Sequence, residues 1–144
     1  MSIPARLTFH ILQGATFAEA LERVTYPYPV RLECGRLVKD DGSAASATDA
    51  TPEDYTGCTA RVQLRRDIDS QDVIAELTTE NGGIVLDGAW LRLNLTAIQT
   101  ATFAYGISAP AWETCIGHVE VTRPSGEVER QYELTFVLHP EGTR

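Results

Sequence analysis

The chain is poor in positive charge, and above all in lysine. Its 144 residues include 12 Lys and Arg against 20 Asp and Glu, which gives a formal net charge of −8, and Lys39 is the single lysine. An acidic surface repels the phosphate backbone of DNA and RNA, so nucleic-acid binding is not expected. No segment combines a basic face with an apolar face, so a helix that lies on a membrane surface is not expected either.

Long apolar runs are missing as well. No stretch approaches the roughly 20 apolar residues that cross a bilayer. The opening MSIPARLTFHILQGATF is interrupted by Arg6, His10 and Gln13, where a signal peptide would be apolar. These absences predict a soluble protein that is made in a cytoplasm and does not insert into a membrane.

Closely spaced cysteine pairs are also absent. Cys34, Cys58 and Cys115 are odd in number and far apart, and no CxxC pair occurs. This pattern favours three buried free thiols over a disulfide or a metal site.

The patterns of common catalytic sites are missing too. The chain has no GxSxG, GxGxxG or GxxxxGK motif. His10, His118 and His139 lie in strand-like runs, and none has a second histidine or a cysteine two or four residues away. His118 and Glu120, which would share one strand face, come nearest to a paired metal site. Cys115 and His118 would point to opposite faces, which disfavours a nucleophile pair. We therefore predict no enzyme, no cofactor and no metal centre.

One acidic segment leaves an alternative open. The segment DIDSQD places Asp67, Asp69 and Asp72 close together, in a pattern that resembles part of a calcium loop. It lacks the glycine at the sixth position and the glutamate at the twelfth. A solvated hairpin tip is the favoured interpretation, and weak cation binding is the alternative.

What the chain does contain is apolar and polar residues that alternate with a period of two. The segments ARLTFHIL, TARVQL, AWLRLNL, CIGHVEVT and VERQYELTFVLH all alternate, and turn residues separate them. The length predicts one domain over residues 1–144. The alternation predicts an all-β fold, a single immunoglobulin-like β-sandwich of about seven to nine strands. The predicted inner faces carry Leu7, Phe9, Ile11, Ala60, Val62, Leu64, Val73 or Ile74, Leu91, Leu93, Leu95, Val119, Val121, Leu134 and Phe136.

Glycine-rich turns mark several predicted strand ends. In TENGGIVLDGAW, Asn81-Gly82 predicts a type I′ hairpin turn, and Asp87-Gly88 repeats the signal. Because β-rich sequence follows rather than a helix, a phosphate-binding loop is not predicted. The segment RPSGE predicts a further hairpin turn between the last two strands.

Helical signals are confined to two short segments. TAIQTATF predicts a single helical turn, since Thr96 can cap it and Gln99 completes a capping box. ATFAEALERVTY is compatible with a short helix or with a twisted strand.

Two segments are predicted to contact partners. The run from Lys39 to Asp54 is small and polar, and predicts a long surface loop inserted between two strands. The run Tyr26-Pro27-Tyr28-Pro29 is stiff and could present two tyrosines, although it could also pack on its own sandwich. The predicted interface residues are Tyr26, Tyr28, Lys39, Asp40, Asp41, Asp54 and Trp112.

Several phrases of the sequence resemble a family of small phage and prophage proteins. These phrases are ILQGATF, YTGCTARVQLRRDIDSQDVIAELTTENGGIVLDG and GHVEVTRPSGEVERQYELTFVLHP, and the resemblance covers Leu12–Phe17, Tyr55–Leu95 and Gly117–Thr143. Proteins of this family are encoded among tail and head–tail genes, and they are similar to the N-terminal β-sandwich domain of phage baseplate upper proteins. The tyrosine-proline run, the Lys39–Asp54 insertion and YGISAPAWETCIG depart from the family pattern.

The resemblance implies a bacteriophage virion component, made in the bacterial host cytoplasm, whose matching motifs contain no catalytic residue. We expect a non-enzymatic structural protein of the tail, neck or baseplate that docks on other virion proteins and on copies of itself. A capsid decoration protein is the first alternative. A receptor- or glycan-binding module is the second, and it would need Trp90 and Trp112 exposed beside a groove of carboxylates.

Overall fold

The computed structural model describes residues 4–103 and 113–140 of the chain, and these residues form a mostly β structure as the alternation predicts. The elements in chain order are β1 (Ala5–Leu12), β2 (Phe17–Glu22), β3 (Val24–Thr25), β4 (Val30–Glu33), β5 (Arg36–Lys39), a 3-10 helix (Ala47–Asp49), β6 (Thr51–Pro52), β7 (Thr59–Leu64), β8 (Ala75–Thr78), β9 (Ile84–Asp87), β10 (Trp90–Leu95), α1 (Ala97–Ala101), β11 (Glu113–Thr122) and β12 (Val128–His139).

The strands form two main sheets and two small ones. The larger sheet has the strand order β1-β12-β11-β7-β8, and the smaller main sheet has the order β2-β10-β9. Strand β1 runs parallel to β12, whereas the other pairs in both sheets are antiparallel. Strands β3 and β6 form one small pair, and β4 and β5 form the other. Both small pairs lie between β2 and β7 along the chain.

The hydrophobic core is built from both main sheets. In β7, β10 and most of β12 every second residue is buried and the alternate residues are exposed or half-buried, which is the pattern of a sheet that packs on one side. The prediction of the inner faces is confirmed for most positions, while Val73 is 41 % exposed and Ile74 packs against the core instead. The predicted residues found buried are Ile11, Ala60, Val62, Leu64, Leu91, Leu93, Leu95, Val119, Val121, Leu134 and Phe136.

The two segments with helical signals behave differently. Thr96 and Gln99 form the predicted capping box, and α1 is the single short helical turn that this signal indicates. The segment ATFAEALERVTY, which was compatible with a helix or a strand, contains the strand β2. All six residues of β2 pair with β10, and Phe17 is buried. Tertiary pairing here outweighs the helix propensity of alanine and glutamate.

The prediction of a type I′ hairpin at Asn81-Gly82 is wrong. Strands β8 and β9, which flank it, belong to different sheets, so the turn carries the chain across the core. Gly82 has a positive φ of 80° but Asn81 does not, whereas type I′ requires it at both positions. The next position, Gly83, requires glycine, because a Cβ there would lie 2.8 Å from the Cβ and 2.9 Å from the Cα of Leu77.

The other two predicted turns do close hairpins. The turn at Asp87-Gly88 joins β9 to β10, with Gly88 at a φ of 61° as the first of two loop residues. This is the position at which a type II′ turn requires glycine, so the turn lies one residue later than the predicted pair. The segment RPSGE joins β11 to β12, as predicted.

The prediction of three buried thiols holds for one cysteine. Cys115 is buried in β11, Cys58 is half-buried, and Cys34 is exposed. The difference arises because Cys34 occupies a turn at the tip of the β4–β5 hairpin instead of a core strand position.

Replacing Asn81 with alanine is expected to lower the free energy of unfolding by about 1–2 kcal/mol. The Asn81 carboxamide oxygen accepts hydrogen bonds from the backbone N–H of Thr78 and of Gly83, and its NH₂ donates to the carbonyl of Glu76, at 2.8–2.9 Å. Alanine removes all three bonds from the sheet-crossing turn. Urea unfolding followed by tryptophan fluorescence measures the change.

Asn81→Asp is the matched control for this prediction. Aspartate keeps the acceptor for the two backbone N–H groups and loses the donor to Glu76, so it should be destabilised less than the alanine variant. An alanine variant as stable as the parent protein would contradict a structural role for this side chain.

Candidate docking surface

The small β4–β5 hairpin, residues 30–39, is the most distinctive surface feature of the described chain, and we call it the arm. Its strands pair from Val30 with Lys39 to Glu33 with Arg36, and Cys34 and Gly35 form the two-residue turn between them. The φ angles of Cys34 and Gly35 are 50° and 78°. Positive φ at both central residues defines the type I′ turn, whose twist matches that of the flanking strands.

The arm stands apart from the two main sheets. Neither of its strands joins either sheet, and its one buried apolar residue, Val38, lies outside the main core cluster. Leu32 and Leu37 are cross-strand partners and are 73 % and 37 % exposed. The backbone N–H of Ala45 donates to the Leu37 carbonyl, so the segment after the arm supports β5, while the leucine pair stays in solvent. This exposed pair makes the arm the candidate docking element.

The arm is also basic in an acidic chain. It contains Arg31, Arg36 and Lys39 against Glu33, which gives a net charge of +2. Because the whole chain carries −8, the residues outside the arm carry −10. The arm therefore has the sign of charge that the rest of its own surface attracts.

Three of the predicted interface residues meet at the base of the arm. The rings of Tyr26 and Tyr28 lie with their centroids 5.8 Å apart, and the ammonium group of Lys39 lies 4.7 Å from the centroid of the Tyr28 ring. The Tyr28 hydroxyl donates to Asp49 at 2.6 Å, and this bond to a carboxylate raises the pKa of Tyr28. Both tyrosines are half-buried, so they support the base of the arm while keeping part of each ring exposed.

The segment from Lys39 to Asp54, predicted as a long surface loop, contains short ordered elements. A tight turn returns the chain to a β-bridge between Ala44 and Val38, and the 3-10 helix and β6 follow. Its short polar side chains bond to their own backbone, as Asp41 accepts from the N–H and hydroxyl of Ser43 and Ser46 caps the 3-10 helix. Local bonding of this kind orders a segment that cannot bury apolar surface.

The other predicted interface residues are dispersed. Asp40 and Asp41 are exposed in the turn after the arm, and the bonds from Ser43 lower the pKa of Asp41. Asp54 lies beyond β6, where bonds from Thr56 lower its pKa. Trp112 lies outside the described residues. The structure therefore brings together the tyrosines and Lys39, with Asp40 and Asp41 next to them, but not Asp54.

A cluster of charged side chains holds together the two ends of the segment that contains the arm, from Arg23 to Glu53. The guanidinium of Arg123, in the β11–β12 turn, donates to both oxygens of Glu53 at 2.8 and 2.9 Å and to Glu129 at 2.8 Å. Glu53 directly follows β6, and Arg23 directly precedes β3, with its Nε 3.5 Å from the Glu53 carboxylate. We call Arg23, Glu53, Arg123 and Glu129 the anchor, because they join the two chain segments that lead into and out of the arm region.

The anchor shifts the pKa of its members in the directions that stabilise it. The bonds from Arg123 lower the pKa of Glu53 and of Glu129 and raise the pKa of Arg123 itself. Next to it, the buried hydroxyl of Tyr55 donates to Gln131 at 2.7 Å, and burial raises the pKa of Tyr55. The carboxylates of Glu53 and Glu129 and the guanidinium of Arg123 are therefore ionised at neutral pH.

Of the residues with catalytic or metal-binding potential, His118 and Glu120 lie together on the outer face of the larger sheet, as their spacing predicts. Both line a shallow cavity of about 170 Å³, and His118 lies 3.6 Å from Glu133. His10 and His139 are 2.9 Å apart across the β1–β12 pair. Within residues 4–103 and 113–140, no three or more His, Cys, Asp or Glu side chains are placed to hold a metal ion, and this includes the aspartates around Ile68.

Trp90, on which the glycan-binding alternative depends, is partly covered. It is 38 % exposed, and the Arg92 guanidinium lies 5.5 Å from the centroid of its ring. A ring stacked with a cation presents less of its face to a sugar.

Two surface features were not predicted from the sequence. The arm was detectable, since VRLE alternates before a central Cys-Gly that resembles a hairpin turn and RLVK follows it. The anchor was not detectable, because Glu53 and Arg123 are 70 positions apart and nothing in either local sequence indicates the other. The contact between His10 and His139 was hidden for the same reason.

No protein-family model matches this chain, and no curated protein matches it. Within the described ranges, no helix has the length and apolar character that crossing a membrane requires. The function of the chain is therefore inferred from the geometry of the domain, the arm and the anchor.

Proposed function

We propose that this chain is a non-enzymatic structural component of a bacteriophage virion, in the tail, neck or baseplate region, which acts by docking and multimeric assembly. The observation that carries the proposal is the arm, a basic hairpin with an exposed leucine pair that projects from an acidic domain. Structural proteins of symmetric particles act through such surfaces, and they need no catalytic cleft.

The immunoglobulin-like plan is part of the same proposal. The strand orders β1-β12-β11-β7-β8 and β2-β10-β9 are compatible with a variable-type immunoglobulin sandwich, in which a five-stranded sheet faces a smaller one over a shared core. In this plan the arm region is an insertion between the second and third strands of the sandwich, β2 and β7. Loops at the ends of such sandwiches are common binding sites.

The phrases that resemble phage proteins coincide with the sandwich and not with the arm. The middle phrase contains β7, β8 and β9, and the final phrase forms the β11–β12 hairpin. The arm lies outside these phrases, between the tyrosine-proline run and the segment after Lys39, which both depart from the family pattern. A common scaffold with its own docking element fits a virion protein whose neighbours are specific to its particle.

Mass spectrometry of purified particles tests this proposal. Prophage particles are induced in the bacterial strain that carries the gene, and tails and heads are separated on a density gradient. We expect tryptic peptides of this chain in the tail fraction at a constant ratio to the main tail protein. Peptides confined to the head fraction would favour the capsid decoration alternative. Abundance in the lysate with absence from both fractions would contradict the proposal.

A further inference from the structure

We propose that the arm of one copy docks on the acidic loop of a second copy of this chain, where the acidic loop is residues 67–73 between β7 and β8. The inference deepens the assembly part of the proposed function, since it names the partner and the two surfaces that meet. It is carried by the charge, the exposed apolar residues and the positions of these two surfaces.

The acidic loop complements the arm in both respects. It carries Asp67, Asp69 and Asp72, which gives a net charge of −3 against the arm's +2, and Arg65, which precedes the loop, donates to the carbonyl of Ser70 at 2.9 Å. Ile68, 72 % exposed, lies directly between two of these aspartates, and Val73 is 41 % exposed. Arginines beside a leucine pair on one surface thus match aspartates beside an isoleucine and a valine on the other.

The position of Ile68 distinguishes this loop from other exposed apolar sites. Ile98 is 81 % exposed on α1, but its neighbours in the helix are uncharged. Val128 is 55 % exposed between Glu127 and Glu129, and Glu129 is already bonded to Arg123. The acidic loop therefore combines exposed apolar area with carboxylates that are not engaged in the anchor.

The arm and the acidic loop are different surfaces of the chain. The acidic loop lies beside the outer face of the larger sheet, where Ile68 lines the cavity that also contains Arg61 and His118. Contact between two different surfaces of identical copies is head-to-tail. Such contacts build a ring when the rotation between copies closes, and otherwise build a filament.

A disulfide cross-link tests the contact directly, because Cys34 is an exposed thiol at the tip of the arm. Ile68→Cys places a second thiol in the acidic loop. Under oxidised glutathione, we expect this variant to form a ladder of dimers and larger species on a non-reducing gel. The same variant with Cys34→Ser should lose the ladder. Ile98→Cys is the matched control, because Ile98 is 81 % exposed but lies outside the loop. It should give at least tenfold less cross-linked protein.

Charge reversal tests the contact without a cross-link. The arm variant Arg31→Glu/Arg36→Glu and the loop variant Asp67→Arg/Asp69→Arg should each weaken self-association at least tenfold, as measured by light scattering over a concentration series. An equimolar mixture of the two should recover association, since the arm of the loop variant still matches the loop of the arm variant. Unchanged urea unfolding of each variant excludes a folding defect.

The outcomes separate this inference from the proposed function. A parent chain that stays at 15.8 kDa, with a self-association Kd weaker than about 1 mM, would overturn the arm–loop contact. So would a multimer that neither charge variant affects, or equal cross-linking through Ile98→Cys. None of these results bears on whether the chain is found in particles, which the mass spectrometry decides separately.

Discussion

Leu93→Asp is expected to unfold the domain at room temperature. Leu93 is fully buried in β10, the central strand of the smaller main sheet, where it contributes to the core shared with the larger sheet. The substitution loses about 1.5–3 kcal/mol of apolar burial and also places a carboxylate without a partner in that core. A combined loss of about 5 kcal/mol or more is comparable with the whole stability of a domain of this size.

Circular dichroism and the urea midpoint measure this effect. Leu32→Asp is the matched control, because it makes the same chemical change at a residue that is 73 % exposed on the arm. The control should keep the parent spectrum and a midpoint close to that of the parent. A cooperatively folded Leu93→Asp protein would contradict the assignment of this strand face to the core.

Arg123→Met is expected to lower the free energy of unfolding by about 2–3 kcal/mol at pH 7. Methionine keeps much of the side-chain volume but leaves Glu53 and Glu129 as neighbouring carboxylates without the guanidinium that bonds both. The loss is smaller than the 3–5 kcal/mol of a fully buried pair, since these side chains are 11–30 % exposed and water screens them in part.

The pH dependence of this loss follows from the carboxylate pKa values. Arg123 lowers the pKa of Glu53 and Glu129 in the folded state. Their bonds therefore stabilise the fold above the ordinary glutamate pKa of about 4.3, and this stabilisation is lost as the pH falls through the lowered pKa values. The difference in unfolding free energy between the parent protein and Arg123→Met should accordingly shrink between about pH 5 and pH 3.

Arg123→Lys serves as the control for the anchor. Lysine keeps the charge but cannot donate to both oxygens of Glu53 and to Glu129 in the planar geometry of arginine. We expect an intermediate stability with a pH dependence close to that of the parent protein. A difference between the parent and the methionine variant that is constant with pH would mean that Arg123 stabilises through its aliphatic stem and not through the carboxylates.

The alternation of residues was sufficient to place strands and their inner faces. Ala60, Val62 and Leu64 in β7 and Leu91, Leu93 and Leu95 in β10 are buried as the period of two predicts. This succeeds because a half-buried strand must place every second side chain in the core. The prediction is local, so it does not depend on which strand lies next to which.

The period of two could not predict which sheet each strand joins, or how the segment after Lys39 folds. The Asn81-Gly82 pair carries a strong hairpin signal, yet its neighbouring strands lie in different sheets, since their partners are β7 and β10. Composition predicted a long loop after Lys39, but it could not predict the hydrogen bonds of Asp41, Ser46 and Tyr28 that shape this segment. Both limits have the same cause. The structure of each segment is decided by strands or side chains that lie far from it in the sequence, or by side-chain hydrogen bonds that composition does not indicate.

The parallel pairing of β1 with β12 has a consequence for how the domain forms. His10 and His139, which meet across this pair, are 129 positions apart, so the larger sheet gains its edge strand only by closing a very long loop. The β11–β12 hairpin is local and can form early, whereas non-local pairing of this kind is slow. During synthesis β1 must wait for β12 to emerge. Until the two strands of one chain have paired, the open edge of β12 can also capture β1 from another copy, so strand exchange is the misfolding route that this topology favours.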